Sequence, residues 1–575
     1  MSKGFSLKPP VGLSLEVLLL AGIAIAILLR LLNLGSREFW YDEVLSLLLS
    51  NGQKINYETP GSLPVVLADY APVLRLPAEK SFGDVIATLV KLLRGLVGGE
   101  PHPPLFFLGQ HLWLRLFGNS EAAMRSLGAL LSVGSIGAAY GFGRTLLGHR
   151  GGLLLAALLA ANPFYLFHSL NLRMYGPLVL WVILSAWALL QLIDRGCEKE
   201  AKIADEALAP ASLHRRGSVP LLWNLVLIGS VAAGLMTFYL FAYWIIALAV
   251  LVLFLDRRRW WQHGLRLATG ILLTTPWALW GTRQQLRNSD FERFNTTQSL
   301  LEAGLKHLEN VASTLGTHLV VGDWVTSLPP AVTIIGGVVA IALLTACSIN
   351  LWRRGERRRL TIALILGIFP LLLALAIDII TRKFTLGFGF GRTMILILPG
   401  CLLLLAVWIE QASGRWKELA ACALLLWYLS VSVGDFTLRP RWMFHQLADL
   451  IEKQPTTPTL IAMNSLAWGH VLRLAYYLPT TAPVELLAQH PAELDTTLEK
   501  FLQGEEGAKF PRLIWLDSAN PVWGRLKTDA EKETERGRIQ KVLDAKFKLI
   551  DRQQLSGTMS LDQFTVNLYT RSSAK

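Results

Sequence analysis

Repeated apolar runs, each long enough to cross a bilayer, constrain the fold of this chain more than any other feature. A transmembrane helix needs about 20 mostly apolar residues. Apolar residues make up 52% of the 575 positions, and the mean hydropathy is +0.42. We therefore predict a polytopic α-helical membrane protein with about eleven transmembrane helices. The runs lie at 11–34, 122–146, 151–169, 176–193, 219–236, 237–255, 265–281, 329–352, 360–380, 392–409 and 418–434.

One further run, Leu105–Phe117, is ambiguous because a helix of its length reaches only about 20 Å. If it does not span, the basic loops fall on the same side as Lys3 and Lys8, as the positive-inside rule requires. If it spans, those loops all move to the opposite side. We therefore predict that Leu105–Phe117 lies along the membrane. The basic loops are Arg144–Arg150, Arg195–Arg216, Arg257–Arg266, Arg353–Arg359 and Arg415–Lys417.

This orientation predicts two units. Residues 1–434 form the membrane domain, and its first loop, 35–122, lies on the outer face. Within that loop, Ser81–Val97 has an apolar face and predicts a helix on the membrane surface. Residues 435–575 also lie outside, and strand-like runs (TLIAMN, RLIWLD, FTVNLYT) alternate with helix-like ones, which predicts a small α/β domain.

The formal charge of +13 does not indicate nucleic-acid binding, because the basic residues cluster between apolar runs as cytoplasmic loops do. No nucleotide-binding signature is present. The stretch GFGRTLLG (Gly141–Gly148) has the wrong spacing for GxGxxG and ends an apolar run, so helix packing explains it better.

Adjacent acids, Asp42 and Glu43, follow an aromatic pair directly after the first apolar run, in SREFWYDEVLS (Ser36–Ser46). Such acids either cap a transmembrane helix or form a catalytic pair at the bilayer boundary. His102 lies in a rigid PHPP segment, and Arg173 and Tyr175 lie at an external helix entrance.

A second set of cations, Arg382, Lys383 and Arg392, flanks the glycine-rich GFGFG. Cations beside a carboxylate at a membrane surface suit an anionic lipid-linked substrate, because cations hold phosphate and a carboxylate accepts a proton from a hydroxyl. Simpler interpretations are that Arg382 and Lys383 reach lipid headgroups, and that His102 caps a turn.

The order of these motifs resembles the GT-C glycosyltransferases. The motifs are DE after an aromatic, then HPPL, then FGNSEAAMRSLGALLSVGSIGAAYGFGRTLLG, then R-x-Y at a helix entrance. The branch that looks most similar is glycosyltransferase family 39, with the protein O-mannosyltransferases, the lipid A aminoarabinose transferase and the galacturonosyltransferase-like bacterial enzymes. The resemblance covers about residues 11–410.

The resemblance implies a polyprenyl-phosphate sugar donor, a hydroxyl acceptor (lipid, glycan or protein), and inverting transfer at the outer face of the cytoplasmic membrane. It makes Asp42 catalytic, with Glu43 beside it, and His102, Arg173, Tyr175, Arg382, Lys383 and Arg392 candidates for holding substrate. The mannosyltransferases carry a second acid where this chain has RMYGP, Arg173–Pro177. This difference weakens a role in protein mannosylation and a metal site; a divalent metal, if bound, would use Asp42, Glu43 and His102.

The alternatives are a flippase or transporter of lipid-linked glycans, a polymerase or ligase, and a membrane scaffold. A transporter needs a continuous polar path through the spans, and the sequence contains none. A ligase is expected to lack the early DE–HPP order. A scaffold leaves the polar residues on one face unexplained.

Overall fold

A computed structural model describes residues 14–206, 219–288, 292–296, 298–439, 441–520, 528–559 and 561–572, and the side chains of 197–206, 219–220 and 300 are not described. Part of the predicted basic loop Arg195–Arg216 therefore lies outside the described residues. The helices are α1 Leu15–Leu32, α2 Tyr41–Ser50, α3 Phe82–Val97, α4 Leu105–Phe117, α5 Glu121–Ala161, α6 Pro163–Ser169, α7 Tyr175–Glu206, α8 Val219–Thr237, α9 Phe241–Leu255, α10 Trp260–Leu272, α11 Thr275–Trp277, α12 Arg283–Asn288, α13 Leu300–Gly316, α14 Pro330–Arg353, α15 Arg357–Gly367, α16 Phe369–Thr381, α17 Leu398–Gln411, α18 Lys417–Leu438, α19 Met443–Glu452, α20 Trp468–Tyr477, α21 Pro491–Gln503, α22 Glu505–Ala508 and α23 Asp529–Asp544.

The described parts of the predicted apolar runs are mostly helical, and among the described residues seven helical stretches are long and apolar enough to cross a membrane. Shorter apolar helices at Leu221–Thr237 and Phe241–Leu255 add to these. The predicted fold class is confirmed: the chain is a polytopic α-helical membrane protein with a small α/β unit at its C-terminal end.

Helix α5 contains a sharp turn at Gly148, which divides it into two helical arms. The first arm corresponds to the predicted span 122–146 and the second to most of the predicted span 151–169. Gly148 has a φ of 78°, a left-handed conformation that favours glycine. The arms on either side pack closely, since a Cβ on Gly143 would lie 3.0 Å from the Cα of Gly152. The glycines of GFGRTLLGHRGG therefore serve helix packing, as the sequence predicts.

The first loop, residues 35–122, folds into α2, α3 and α4. Ser81 caps α3, because its hydroxyl accepts from the Asp84 amide at 3.2 Å while the Asp84 carboxylate accepts from the Ser81 amide at 2.9 Å. Phe82, Ile86 and Val90 of its predicted apolar face remain exposed. An exposed apolar face is what a helix on a membrane surface requires.

The polar residues of α4 bond to the first loop. The imidazole of His111 bonds to the carbonyl of Ser50 at 2.7 Å, and Arg115 donates to both oxygens of Glu79 at 2.5 and 2.8 Å. These contacts give its charged side chain a partner within the loop, which supports the prediction that α4 does not span.

One mixed sheet is formed by six strands, β1 Val65–Val66, β2 Thr459–Met463, β3 Val484–Ala488, β4 Arg512–Ser518, β5 Phe547–Ser556 and β6 Gln563–Arg571. Their order is β1-β3-β2-β4-β6-β5, and all but β1 belong to the C-terminal unit. The strands β2, β4 and β6 coincide with the three runs that the sequence predicts. The neighbours of β2, which are β3 and β4, run parallel to it, and the other pairings are antiparallel.

The edge strand β1 belongs to the first loop, and its Val65 pairs with Leu486 of β3. The loop and the C-terminal unit therefore share a sheet. The predicted boundary between two units at residue 434 did not include this connection. The last apolar helix, α18, also continues past that division to Leu438.

The predicted orientation is testable with single cysteines at two exposed positions. Thr496 lies on α21, and Arg354 lies in the loop between α14 and α15. In a chain without its native cysteines, Thr496→Cys should react with a membrane-impermeant maleimide in intact spheroplasts. Arg354→Cys should react only after lysis, and the reverse pattern would place the C-terminal unit inside the cell.

Candidate active site

The segment between α1 and α2 carries the predicted acidic motif. Trp40 is extended and precedes the first residue of α2, and its amide donates to Oε2 of Glu43 at 3.1 Å. A carboxylate at this position satisfies an amide that the helix itself cannot pair. The local sequence therefore fixes where α2 begins and places Asp42 and Glu43 in its first turn.

Glu43 forms a fully buried ion pair with Arg125 of α5. Nε and an Nη of Arg125 donate to the two carboxylate oxygens at 2.8 and 2.7 Å, and the amide of Leu172 donates to the same carboxylate at 2.8 Å. Burial alone would raise the pKa of Glu43, but the charge and hydrogen bonds of Arg125 outweigh it, so the pKa is lowered.

Arg125 also holds the backbone before α2. It donates to the carbonyls of Leu34, Arg37 and Glu38 at 3.1, 2.8 and 3.0 Å. Sequence reasoning missed this residue, although an arginine in the first turns of an apolar helix requires a buried partner.

Asp42 faces different surroundings from Glu43. Its Oδ2 lies 2.9 Å from an Nη of Arg392, and its side chain is 19% exposed. The guanidinium of Arg392 also lies over the rings of Trp40 and Tyr175, at 5.2 and 5.4 Å from their centroids. Asp42 is thus an accessible carboxylate beside a cation that aromatic rings hold in place.

A tight backbone loop brings Arg392 to this position. Gly389, Phe390 and Gly391 have φ values of 57°, 58° and 79°. A Cβ on Gly391 would lie 2.9 Å from the hydroxyl oxygen of Thr314 on α13. Glycine is therefore needed both for the backbone conformation and for the close approach.

Arg173 contacts both α2 and the loop after α3. An Nη of Arg173 donates to the hydroxyl of Ser46 at 3.1 Å, and the other lies 3.8 Å from Oε1 of Glu100. Glu100 also bonds to Nδ1 of His102. Burial opposes ionisation of Glu100, but His102 and Arg173 outweigh it and lower its pKa to about 2.

His102 is packed between aromatic rings and lies at the end of the cluster. It stacks on Phe238 with 5.7 Å between ring centroids, and its edge meets Tyr175. Burial lowers its pKa despite the neighbouring Glu100. The amide of Gln285 donates to the carbonyls of Glu100 and His102 at 2.7 and 2.8 Å, which holds this loop against the membrane helices.

Of the eight predicted site residues, the structure joins five through direct contacts or shared neighbours, directs Glu43 to Arg125 and places two elsewhere. The five are Asp42, His102, Arg173, Tyr175 and Arg392. Arg382 is exposed and ends α16 with a φ of 53°, and Lys383 pairs through its backbone with Asn295. Glu100 is a site residue that the sequence did not single out, although an acid directly before PHPP in an outer loop was available as a signal.

The residues that the sequence names for a metal do not converge. Asp42 pairs with Arg392, Glu43 with Arg125, and His102 with Glu100. Within the described ranges, no group of three or more acids, histidines and cysteines could hold an ion. These donors therefore do not fit a divalent metal.

Helix α20 of the C-terminal unit lies directly on the acidic motif. The hydroxyl of Tyr477 accepts from the amide of Phe39 at 2.6 Å and donates to Glu121 at 2.6 Å. At the other end of α20, a Cβ on Gly469 would lie 2.6 Å from Cδ2 of Tyr41. The first turn of α2 is therefore held between the membrane helices and α20.

This close approach is testable with two glycine variants. Gly469→Ala should displace Tyr41 and the adjacent Asp42, costing about 1–3 kcal/mol of stability through overpacking and lowering any activity of the site. Gly537→Ala in α23 is the control, because its Cβ meets no atom within 4 Å and should be neutral or stabilising. Thermal unfolding of the purified variants measures the difference, and equal stability would show that α20 does not press on α2.

Comparison with known proteins gives one family match. Residues 101–204 match the family model described as dolichyl-phosphate-mannose-protein mannosyltransferase. This match confirms, for that segment, the family resemblance that the motifs indicate. A search of curated proteins gave no match.

Similar solved structures share low identity with the chain. ArnT from Cupriavidus metallidurans bound to undecaprenyl phosphate is 13% identical with a TM-score of 0.42, covering 96% of this chain and 98% of its own. The Archaeoglobus fulgidus oligosaccharyltransferase in complex with zinc and sulfate is 12% identical with a TM-score of 0.46, covering 96% and 73%. AglB from the same organism, in complex with an inhibitory peptide and a dolichol-phosphate, is 11% identical with a TM-score of 0.44, covering 97% and 74%.

Proposed function

We propose that the chain is a membrane glycosyltransferase that moves a sugar from a polyprenyl-phosphate donor to a hydroxyl group of a lipid, glycan or protein. The observation that carries the proposal is the largely buried pair of Asp42 and Arg392, with Arg173 nearby. This arrangement combines a proton acceptor with cations that suit a phosphate, which is the set of groups that such a transfer requires. The family match of residues 101–204 supports the same conclusion.

In the proposed reaction, the acceptor hydroxyl attacks the anomeric carbon of the donor sugar. The bond from that carbon to the phosphate oxygen breaks, and its electron pair leaves with the phosphate. Asp42 takes the hydroxyl proton. Because the leaving group is a stabilised phosphate anion, it needs no general acid, and attack from the opposite face inverts the anomeric centre.

Arg392 and Arg173 are the proposed phosphate ligands. The Nε atoms of both side chains are buried and have no hydrogen-bond partner within the described ranges. A planar guanidinium binds two phosphate oxygens and stays charged beside a bilayer. These two unpaired N–H donors lie near Asp42, the proposed base. A phosphate leaving from the same reaction centre could accept hydrogen bonds from them.

We propose that Glu43 is a positioning residue. Its two oxygens are occupied by Arg125, Leu172 and Trp40, and it is completely buried. A carboxylate so engaged is poorly suited to accept a substrate proton. Its proposed role is to fix α2 and thereby the direction in which Asp42 points.

The proposed location is the outer side of the cytoplasmic membrane, where donor lipid and acceptor meet at the bilayer surface. The exposed apolar face of α3 and the basic loops between the other spans support it. The proposed partners are the donor lipid, the acceptor and membrane lipids, with no nucleic acid.

The two acids should respond differently to removal of charge. Asp42→Asn should lower transfer by about 10²–10⁴-fold while leaving stability and donor binding nearly unchanged, because it removes proton acceptance with little change of shape. Glu43→Gln should instead destabilise the chain by about 3–5 kcal/mol, because it leaves Arg125 buried without its partner. The measurements are transfer of radiolabelled sugar from polyprenyl-phosphate donors and thermal unfolding, and wild-type turnover in Asp42→Asn would remove Asp42 as the base.

The phosphate ligands are tested through donor affinity. Arg173→Ala and Arg392→Ala should each weaken donor binding by about 1.5–3 kcal/mol, roughly tenfold to over a hundredfold, and the lysine variants should recover part of it. Arg382→Ala is the matched control, because Arg382 is exposed at the end of α16 and its donor affinity should stay at the wild-type value. Unchanged donor affinity in both alanine variants of the cluster would remove the phosphate role.

A further inference from the structure

A pocket of about 240 Å³ lies between α2, the loop after α3 and the start of α20. Leucines of α2, including Leu45, form its apolar wall, and Tyr41 and Trp468 add aromatic rings. Lys54 and Glu100 supply the charged part of the lining. The pocket is thus built from the first outer loop and the C-terminal unit together.

We propose that this pocket binds a single sugar ring. Its volume is below the roughly 300–1,000 Å³ of pockets for drug-sized ligands, which limits the occupant to about one ring. A sugar ring has apolar C–H faces and a rim of hydroxyl groups. The leucines and aromatic rings can pack against the C–H faces. The ammonium of Lys54 and the carboxylate of Glu100 can form hydrogen bonds with the hydroxyl groups of the rim.

The charged lining distinguishes a sugar ring from an apolar lipid chain. Lys54 donates to the carbonyl of Gly98 at 3.2 Å, which uses one of its three donors. Burial lowers the pKa of Lys54, and the negative charge of the nearby Glu100 only partly opposes this shift. An apolar chain would desolvate both charges without hydrogen bonds in return, which is unfavourable.

The pocket adjoins the proposed catalytic carboxylate. Leu45 and Leu49, which line it, are three and seven residues after Asp42, so all three lie on one side of α2. Glu100 lines the pocket and also contacts His102 and Arg173 of the site. A ring in the pocket therefore lies beside the groups that would act on it.

If the proposed function is correct, the bound ring is either the sugar of the donor or a sugar of the acceptor. This assignment of the ring is the part of the inference that rests on the proposed function. The chemistry of the pocket is the same in both cases. The two sources differ in what accompanies the ring, because the donor carries a polyprenyl phosphate and the acceptor does not.

Protection of a cysteine in the pocket wall tests the proposal without an activity assay. Leu45→Cys, in a full-length chain lacking native cysteines and reconstituted in lipid nanodiscs, is labelled with a small maleimide. The probes are undecaprenyl phosphate, undecaprenyl-phosphate esters of a hexose, an N-acetylhexosamine, a hexuronic acid and an aminopentose, and octyl β-glucoside below its micellar concentration. The control is Leu63→Cys, which lies in the same loop, is 70% exposed and does not line the pocket.

At a probe concentration about ten times Kd, labelling of Leu45→Cys should slow roughly tenfold with a sugar-bearing probe, and labelling of Leu63→Cys should not change. Protection by an undecaprenyl-phosphate sugar identifies the donor ring, and protection by octyl β-glucoside identifies an acceptor ring. Adding Trp468→Ala should abolish the protection. Equal protection by undecaprenyl phosphate, or protection by none of the probes, would overturn the proposal.

The outcome separates this inference from the proposed function. Protection in a chain that transfers no sugar would retain the pocket and reject the transferase. Transfer by a chain without protection would retain the transferase and reject the pocket.

Discussion

The buried pair of Glu43 and Arg125 is the interaction on which the site depends. It joins the first turn of α2 to the start of α5, and the remaining donors of Arg125 hold three carbonyls of the segment between α1 and α2. A buried charge pair contributes to specificity only if its hydrogen bonds are complete, and this pair also receives the amide of Leu172. Its geometry therefore determines where the neighbouring Asp42 lies.

Two adjacent acids acquire different properties because successive residues of a helix point about 100° apart. Glu43 turns inward to Arg125, and Asp42 turns toward the cleft that holds Arg392 and Arg173. A sequence shows both as equal members of one motif. Only the surroundings of each carboxylate distinguish a residue suited to positioning from one suited to proton transfer.

Much of the fold could be predicted from local pattern, because apolar length defines spans and alternation defines strands. The placement of Asp42 and Arg392 on one face could also be predicted from charge asymmetry, but their contact emerges only from the structure. Glu100 and Arg125 each left a local signal, an acid before PHPP and an arginine at the start of an apolar helix, but their partners could not be predicted. The pairing of strand β1 could not be predicted either, because its partner β3 lies far along the chain. Arg382 and Lys383 were predicted as site residues but lie elsewhere, because a cation near the membrane surface need not face the site.

The contact between the acidic motif and α20 has a consequence for the order in which the chain assembles. Phe39 and Tyr477, which share a hydrogen bond, are separated by 438 positions. During synthesis the motif and strand β1 emerge long before the helix and strand that complete them, so they must wait unpaired while the intervening helices insert. A chain halted before its C-terminal unit is made would carry every proposed catalytic group without the surface that orders them. The proposed site is therefore complete only after that unit has folded against α2.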